Sequence, residues 1–398
     1  MIYLLNPDST TFPNPDKAEA DGLLAIGGDL SPKRLIAAYR RGIFPWFNDD
    51  DPILWWSLDP RMVMPVGDFR CSKSLLRTLK SQRYEVRVDT CFEEVIARCA
   101  DTERPDQPGT WIVPDMITAY TRLHDMGYAH SFETFLNGQL VGGLYGVSVG
   151  RFFSGESMFH THTDASKVAF AKLVEYCALH GFDFIDAQQP TQHLFSLGAS
   201  PIPRKQFLGM LGKAVDPALD GSTFLPRWKA NSAVLLLGGN QGDRTALMLQ
   251  AQEAIQQRIG TVALRSGYYE TEPWGDFGEE EPQRFLNMAV VVDTDLTADE
   301  VLAQALDIER QLGRRRPAGS TQYHSRPIDI DIIFYDSLVV DTPRLQLPHP
   351  RAHLRRFVMQ PLADIIPAYV HPTLRRTVAQ LLADCPDSGA VTKYPSPQ

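Results

Sequence analysis

One stretch in the middle of the chain limits what it can fold into more than any other. Residues 224–244 read FLPRWKANSAVLLLGGNQGDR. The left half is loop-like, with a proline, a tryptophan and a Lys229-Ala230-Asn231-Ser232 segment that has no apolar period. The right half is an apolar run, residues 233–237, that stops at Gly238-Gly239-Asn240-Gln241-Gly242. An apolar run of that length followed by a glycine turn predicts a buried strand leading into a helix. A chain of 398 residues is too long for one core. The stretch therefore has the pattern of a second domain starting where a first has closed.

Composition places the chain among ordinary soluble globular proteins, with 43% hydrophobic and 22% charged residues. Five cysteines (Cys71, Cys91, Cys99, Cys177 and Cys385) form no C-x-x-C pair and have no companion histidine cluster. They fit a reducing compartment and neither a disulfide framework nor a zinc site. No apolar run approaches ~18 residues, and the start, MIYLLNPDST, lacks a signal peptide's basic region. The expected location is the cytoplasm, with no membrane partner. The Pro/Ser-containing end, 386–398, reads as frayed.

The net charge of −9 divides almost evenly. Residues 1–228 carry 22 basic and 27 acidic side chains, and 229–398 carry 17 and 21. Neither part is a bulk polycation, so contact with nucleic acid requires a local patch. One candidate holds Arg61, Arg70, Lys73, Arg77, Lys80, Arg83 and Arg87 against only Asp68 and Glu85. Lys73, Arg77 and Lys80 are spaced to share a helix face. A merely solvated face would look the same.

The first sixty residues are rich in turns and aromatics, with Ser31-Pro32 suited to start a short helix over 32–41. From 128 the period changes to two. Residues 130–136, 140–147 and 151–154 alternate and are joined by Asn137-Gly138 and Gly150, which predicts an antiparallel meander. The glycine-dense stretch 142–150 lies within these strands and opens no helix, so tight packing explains it better than a phosphate cradle. A helix over 165–180 follows, ended by Gly181, and then a strand over 182–188. Alternation puts Asp186 and Gln188 on one face of that strand. A carboxylate beside an amide could position and deprotonate an amine, or be a satisfied strand-end pair.

Residues GLLAIGGDLSP (22–32), RGIFPWF (41–47), PILWWS (52–57), GTWI (109–112), GGLYGV (142–147), GESMF (155–159), ASK (165–167) and the 184–199 segment with its FIDAQQPT start together resemble the leucyl/phenylalanyl-tRNA–protein transferase family. The resemblance spans nearly all of 1–228. It implies transfer of Leu or Phe from its tRNA to the α-amino group of a protein that begins with Arg or Lys, marking that protein for degradation by the N-degron route. It implies an α+β architecture, with a small subdomain over 1–60 and a GNAT-like acyltransferase fold over 61–228. An α-amine titrates at about 7.7–8.0 and needs a proton acceptor near neutrality. By resemblance that acceptor is Asp186, with Gln188 relaying or orienting and Glu156 orienting the substrates. Leu144, Phe170, Leu173, Cys177 and Ile185 would line the cavity for the aminoacyl side chain. Trp46 and Trp111 would hold the terminal adenosine, and the 61–87 patch would meet the tRNA stem. No cofactor is implied for this part.

In the second part the order reads strand (233–237), helix (244–258), strand (261–269), loop (270–283), strand (285–293), helix (298–312), loop (313–325), strand (327–335). Thr297-Ala298-Asp299-Glu300 is a capping box, and Gly313 closes the helix it opens. A βαββαβ order predicts a ferredoxin-like α/β sandwich with helices on one face. The two long loops point to functional segments. The chemistry lies in Arg326-Pro327-Ile328-Asp329-Ile330-Asp331. Alternation puts Asp329 and Asp331 on one strand face, roughly 6.5–7 Å apart along the chain. A pair of hard cations would offset their repulsion, although a solvent-facing pair on an open sheet remains an alternative. Arg314, Arg315 and Arg316, then Arg326, Arg344, Arg355 and Arg356, favour polyphosphate handling. No P-loop is present, since 238–245 lacks the lysine.

Residues GGNQGDR (238–244), YETEPWG (269–275), FLN (285–287), the 309–314 segment ERQLGR, SRPIDIDIIFYD (325–336) and the LPHPR stretch from 347 resemble 6-hydroxymethyl-7,8-dihydropterin pyrophosphokinase, across almost all of 233–385. The resemblance implies attack of the pterin hydroxymethyl oxygen on the β-phosphorus of ATP, with AMP leaving. Asp329 and Asp331 would hold two Mg²⁺ ions, and Arg314 and Arg326 would stabilise charge on the transferring group. Glu309, Arg344, His349 and Arg355 resemble ATP contacts. Phe357, with an aromatic from a mobile loop, would sandwich the 6-hydroxymethyl-7,8-dihydropterin, and Asn287 would bond its edge. Thr271, Pro273, Trp274, Phe285 and Tyr323 complete the substrate set. The two resemblances leave 229–232 as linker, 233–390 as the pyrophosphokinase domain and 391–398 as tail. The expected function is a fusion with both activities. The alternative is an active pyrophosphokinase joined to a non-catalytic tRNA- or protein-binding module.

Overall fold

In a computed structural model, which describes residues 2–102, 110–215, 228–229, 231–275, 277, 281–315 and 324–395, the chain divides into two compact units. One is Met1–Cys177 with Phe182–Trp228; the other is Lys229–Gln398 with Ala178–Gly181.

The first unit opens with β1 (Tyr3–Leu5), β2 (Leu23–Gly27), α1 (Pro32–Tyr39), β3 (Phe44–Pro45) and β4 (Leu54–Trp56). Pro32 stands at the start of α1 as expected, but the Ser31 side chain makes no cap hydrogen bond. The four strands form one sheet in the order β1-β2-β4-β3. Then follow β5 (Arg61–Pro65), α2 (Lys73–Lys80), β6 (Glu85–Val88), α3 (Phe92–Ala100), α4 (Pro114–Asp125), β7 (Ala129–Leu136), β8 (Gln139–Val149), β9 (Phe152–His160), α5 (Ala165–Leu179), β10 (Phe184–Gln188), α6 (Gln192–Leu197), β11 (Ser200–Ile202) and α7 (Arg204–Ala214). The seven strands here form a second sheet, β11-β5-β10-β9-β8-β7-β6. The expected meander is β7-β8-β9, and β10 joins it parallel to β9. That pairing requires the α5 crossover. Trp228 is tied into this unit. Its backbone N–H donates to Asp89 Oδ2 at 2.9 Å, and its ring stacks on His130 and Tyr176 at centroid distances of 3.8 and 4.2 Å.

The second unit comprises β12 (Asn231–Gly239), α8 (Arg244–Arg258), β13 (Thr261–Arg265), β14 (Tyr268–Thr271), β15 (Phe285–Thr294), α9 (Ala298–Gln311), β16 (Asp329–Tyr335), β17 (Val340–Asp341), β18 (Gln346–Leu347), α10 (Arg356–Ile365), α11 (Val378–Ala383) and β19 (Val391–Tyr394). The Thr297/Glu300 capping box is present at α9. β16-β12-β15-β14-β19 form the sheet, with β13 also on β15, and every pairing is antiparallel.

Three expectations change here. The single strand over 261–269 is two, β13 and β14, because Ser266-Gly267 breaks the run. The 391–398 tail is not all frayed: Val391–Tyr394 pairs with β14 and satisfies its outer backbone groups. Helices also occupy more than one face. Ala233, Leu235 and Leu237 of β12 share a core with Met248 and Ile255 of α8 and Val301 and Ile308 of α9. Leu236 and Gly238 point the other way, with their partners Asp331, Asp329 and Asn287. Phe357 of α10 lines the same cavity as these residues, so α10 flanks the second face.

Candidate active sites

In the first unit the site is built by two irregularities on neighbouring strands. β8 pairs with β9 through Tyr145–Ser157 and Gly146–Gly155, which makes Glu156 an extra residue. β10 pairs with β5 through Asp186–Val63 and Gln188–Met62, which makes Ala187 an extra residue. A bulge re-aims the side chains beside it, and Gln188 is turned further by a φ of +56°. Gly146 is required beneath the first bulge, where a Cβ would stand 2.2 Å from the Ser154 carbonyl oxygen.

The bulge overturns the simple alternation at Asp186 and Gln188. The Gln188 amide donates to Glu156 Oε1 at 2.9 Å and Ser154 Oγ at 3.1 Å. Asp186 instead accepts two bonds from Arg61: Nε at 2.8 Å to Oδ1 and Nη2 at 2.7 Å to Oδ2. The Gln188 backbone N–H adds a third at 3.1 Å. Both partners of this ion pair are 1% exposed, and the guanidinium carbon lies 4.7 Å from the ring centres of Phe44 and Phe207. Arg61 is therefore not part of a surface patch. Arg87 is also engaged, with Glu85 at 2.7 Å. Lys73, Arg77 and Lys80 remain exposed on α2.

A cavity of about 290 Å³ opens beside this wall. Trp46, Trp111, Leu144, Phe170, Leu173 and Ile185 line it, together with Glu156 and Gln188. Asp186 and Cys177 lie off the lining; Cys177 is fully buried in α5, where burial pushes its thiol up. The sequence reading missed Phe44, Tyr145, Met158 and His193, which also line the cavity. Met158 could have been found, since it is the cross-strand partner of Leu144. Behind the wall, Tyr120 donates to Glu156 Oε2 at 3.2 Å, and the Tyr39 hydroxyl bonds that of Tyr120. Burial pushes the Glu156 carboxyl up to about 7, and nearby Asp186 adds to the rise; hydrogen bonds from Tyr39, Ser154 and Tyr120 oppose it.

In the second unit Asp329 and Asp331 project from one face of β16 into a cavity shared with Thr271, Phe285, Asn287 and Arg326. Trp274, Phe357 and Arg355 form its aromatic side: the Arg355 guanidinium lies 4.3 Å from the Trp274 ring centre, and the two rings are 6.4 Å apart. The sequence missed Phe277 on the same wall. Asn287 donates to Thr271 Oγ1 at 2.8 Å, and a Cβ on Gly239 would meet the Pro327 carbonyl oxygen at 2.2 Å. Asn240 accepts the Arg326 N–H at 2.8 Å and so fixes the entry to β16.

Glu309, 2% exposed, accepts from the Ile330 N–H and from Arg314 Nη1, both at 2.9 Å. Arg314 also pairs with Asp329, and Arg326 Nε is 2.8 Å from the other Asp329 oxygen. Glu309, Arg314 and Arg344 line a separate cleft with Arg310 and Arg315. His349 is held by its backbone N–H to Ile333 O at 3.0 Å; burial pushes its imidazole down, against the pull of Asp331. Pro273 lies on neither lining, and Tyr323 and Arg316 fall outside the described residues. Among the described residues no group of three or more His, Cys, Asp or Glu could hold a metal ion. Two carboxylates on one strand fit a hard cation whose other ligands are phosphate and water.

The leucyl/phenylalanyl-tRNA protein transferase family model matches residues 63–212, and that family's N-terminal domain model matches 28–59. A leucyl/phenylalanyl-tRNA–protein transferase from Anaeromyxobacter sp. (strain Fw109-5) is 56% identical over 221 residues, 55% of this chain and 94% of that protein. The chain belongs to the leucyl/phenylalanyl-tRNA–protein transferase family. Another transferase, from Nitratidesulfovibrio vulgaris (strain DP4), is 52% identical over 227 residues, 57% of this chain and 97% of that protein. The transferase family accounts for the first unit alone. Residues 234–367 match the family model of 7,8-dihydro-6-hydroxymethylpterin-pyrophosphokinase (HPPK). A crystal structure of wild-type HPPK-DHPS from Plasmodium falciparum is similar at 18% identity and a TM-score of 0.31, covering 39% of this chain and 44% of that chain.

Proposed function

We propose that the chain is a bifunctional enzyme. The first unit transfers Leu or Phe from aminoacyl-tRNA to proteins that begin with Arg or Lys. The second transfers pyrophosphate from ATP to 6-hydroxymethyl-7,8-dihydropterin. What carries the reading is that each unit gathers, around one cavity, the polar groups its reaction requires.

In the transferase cavity the apolar wall formed by Leu144, Phe170, Leu173 and Ile185 suits a leucyl or phenylalanyl side chain. Trp46 and Trp111 stand at the same cavity as stacking surfaces for a terminal base. Glu156 and Gln188 would meet the reacting groups, while Asp186, paired with Arg61, accepts the Gln188 backbone N–H. The exposed Lys73, Arg77 and Lys80 offer a face to the tRNA backbone, so binding should weaken with salt. The meander, crossover helix and parallel β10 support the GNAT-like reading.

In the pyrophosphokinase unit Asp329 and Asp331 would hold Mg²⁺, which would neutralise phosphate charge as the group transfers. Arg314 and Arg326 lie against Asp329 and would stabilise that charge. Glu309, Arg344, His349 and Arg355 would surround ATP; Trp274 and Phe357 would hold the pterin, with Asn287 at its edge. The order β16-β12-β15-β13, antiparallel throughout, supports the ferredoxin-like reading. Among the described residues no helix is long and apolar enough to cross a membrane, and both substrate sets favour a cytoplasmic setting.

The test is leucyl transfer from charged tRNA to a peptide beginning with Arg, beside AMP release from ATP, hydroxymethyldihydropterin and Mg²⁺. Asp331→Ala is expected to lower AMP release on the order of 100-fold or more. Normal turnover by that variant would remove Asp331 from the metal site.

A further inference from the structure

We infer that Glu156, and not Asp186, takes the proton from the acceptor amine during aminoacyl transfer. This rests on the transferase reading of the first unit and assigns the reaction's proton within it.

Two carboxylates stand on adjacent strands, and their surroundings differ in kind. Asp186 is off the cavity lining, and both its oxygens are engaged by Arg61. Arg61 is itself buried, and Asp186 is the carboxylate it pairs with. Protonating Asp186 would leave a buried guanidinium without a counter-charge, which is a costly state. Asp186 is thus committed to Arg61 and anchors β5 to β10.

Glu156 lines the cavity, and every group bonded to it is neutral: Ser154 Oγ at 3.0 Å, the Gln188 amide at 2.9 Å and the Tyr120 hydroxyl at 3.2 Å. From the other elements packed here, α1 contributes Tyr39, β8 contributes Tyr145 and α6 contributes His193. Burial drives the hydroxyls of Tyr39 and Tyr120 far up, so both stay neutral. The charge that acts on Glu156 is the Asp186 carboxylate, which adds to its rise. Protonating Glu156 therefore strands nothing. Its carboxyl titrates at about 7, close to the α-amine at about 7.7–8.0, the match a general base needs near neutrality.

The step balances without another reactant. The neutral amine nitrogen bonds to the ester carbonyl carbon, and the bond from that carbon to the ribose oxygen breaks. Glu156 takes one proton from the nitrogen and returns it to the ribose oxygen, which restores the carboxylate. The products are a peptide bond and tRNA with a free hydroxyl.

The experiment is single-turnover transfer by the full chain to an acceptor whose N-terminal α-amine is replaced by an aminooxy group. The oxygen attached to that nitrogen withdraws electron density and makes it far less basic than an α-amine, so the acceptor's own titration drops out near neutral pH. The wild-type rate is expected to rise through a limb near pH 7. Glu156→Gln, which keeps the size and a hydrogen-bonding head, is expected to lose that limb and about 100-fold or more in rate. Its affinity for aminoacyl-tRNA should stay within about threefold of wild type. Retention of the limb by E156Q, at full or reduced rate, overturns the inference, because a residue that only orients would slow transfer without moving the profile. If E156Q loses tRNA affinity, Glu156→Asp decides: a limb near neutral pH at lower rate supports the proton role, and its absence overturns it. A wild-type chain that transfers nothing to an ordinary Arg peptide would instead remove the transferase reading itself.

Discussion

Arg61 and Asp186 are separated by 125 residues in sequence and meet in the interior of the first unit, each 1% exposed. Neither can be removed alone at low cost. Arg61→Leu leaves an unpaired buried carboxylate and is expected to destabilise the first unit by about 3–5 kcal/mol. Urea unfolding monitored by tryptophan fluorescence would measure this. Replacing Asp186 by Leu in the same chain should recover much of the loss, whereas additive losses would show the pair to be unimportant. A second residue-scale effect concerns Glu133. Burial pushes its carboxyl up to about 7, and the Asp89 carboxylate adds to the rise. The folded state therefore binds more protons than the unfolded one between the ordinary glutamate value of about 4.5 and about 7, so stability falls as pH rises through that window. Glu156 behaves the same way. Melting curves at stepped pH should show a shallower decline for Glu133→Gln; an unchanged slope would contradict the assignment. From sequence alone, Glu156, Asp186 and Gln188 could be named by resemblance. The Arg61 bond could not, because Arg61 sits in a run of basic residues that looks like solvent-facing charge.

At the scale of elements, periodicity gave the meander, α5 and the βαββαβ order, since each has a clear period and a glycine or cap at its end. It missed the bulges in β9 and β10, because a single extra residue leaves the hydrophobic pattern nearly intact while turning one side chain. Gly146→Ala tests the first bulge. A Cβ 2.2 Å from the Ser154 carbonyl must push β8 from β9, with a cost of about 1–3 kcal/mol and a fall in leucyl transfer as Glu156 shifts. Wild-type transfer with an unchanged melting curve would mean that the strands absorb the methyl. β19 was illegible for a different reason: Val391–Tyr394 is short and follows a Pro- and Asp-containing stretch that reads as unstructured. Truncation after residue 390 would expose the outer edge of β14, which carries Thr271 into the cavity proposed for the pterin. A higher KM for the pterin and a lower melting temperature of the second unit are expected, with leucyl transfer unaffected.

At the scale of the whole molecule, the glycine turn at 238–242 gave the clearest sequence signal, and β12 does start a new sheet there. β12 begins at Asn231, two residues before the apolar run, because its first residues pair with Asp293 and Thr294 without being apolar themselves. The cavities themselves were not legible. Each is assembled from elements far apart in sequence, such as Trp46 with Leu194, or Leu236 with Phe357. The central claim is that one chain performs two unrelated reactions with separate residues. One purified full-length preparation, assayed for both, tests it most directly. Wild type should transfer leucine to an Arg-initiated peptide and release AMP from ATP and the pterin. Asp331→Ala should lose only AMP release, and Glu156→Gln should lose only leucyl transfer. A preparation that performs just one reaction, or a variant in one unit that abolishes both, would contradict the account.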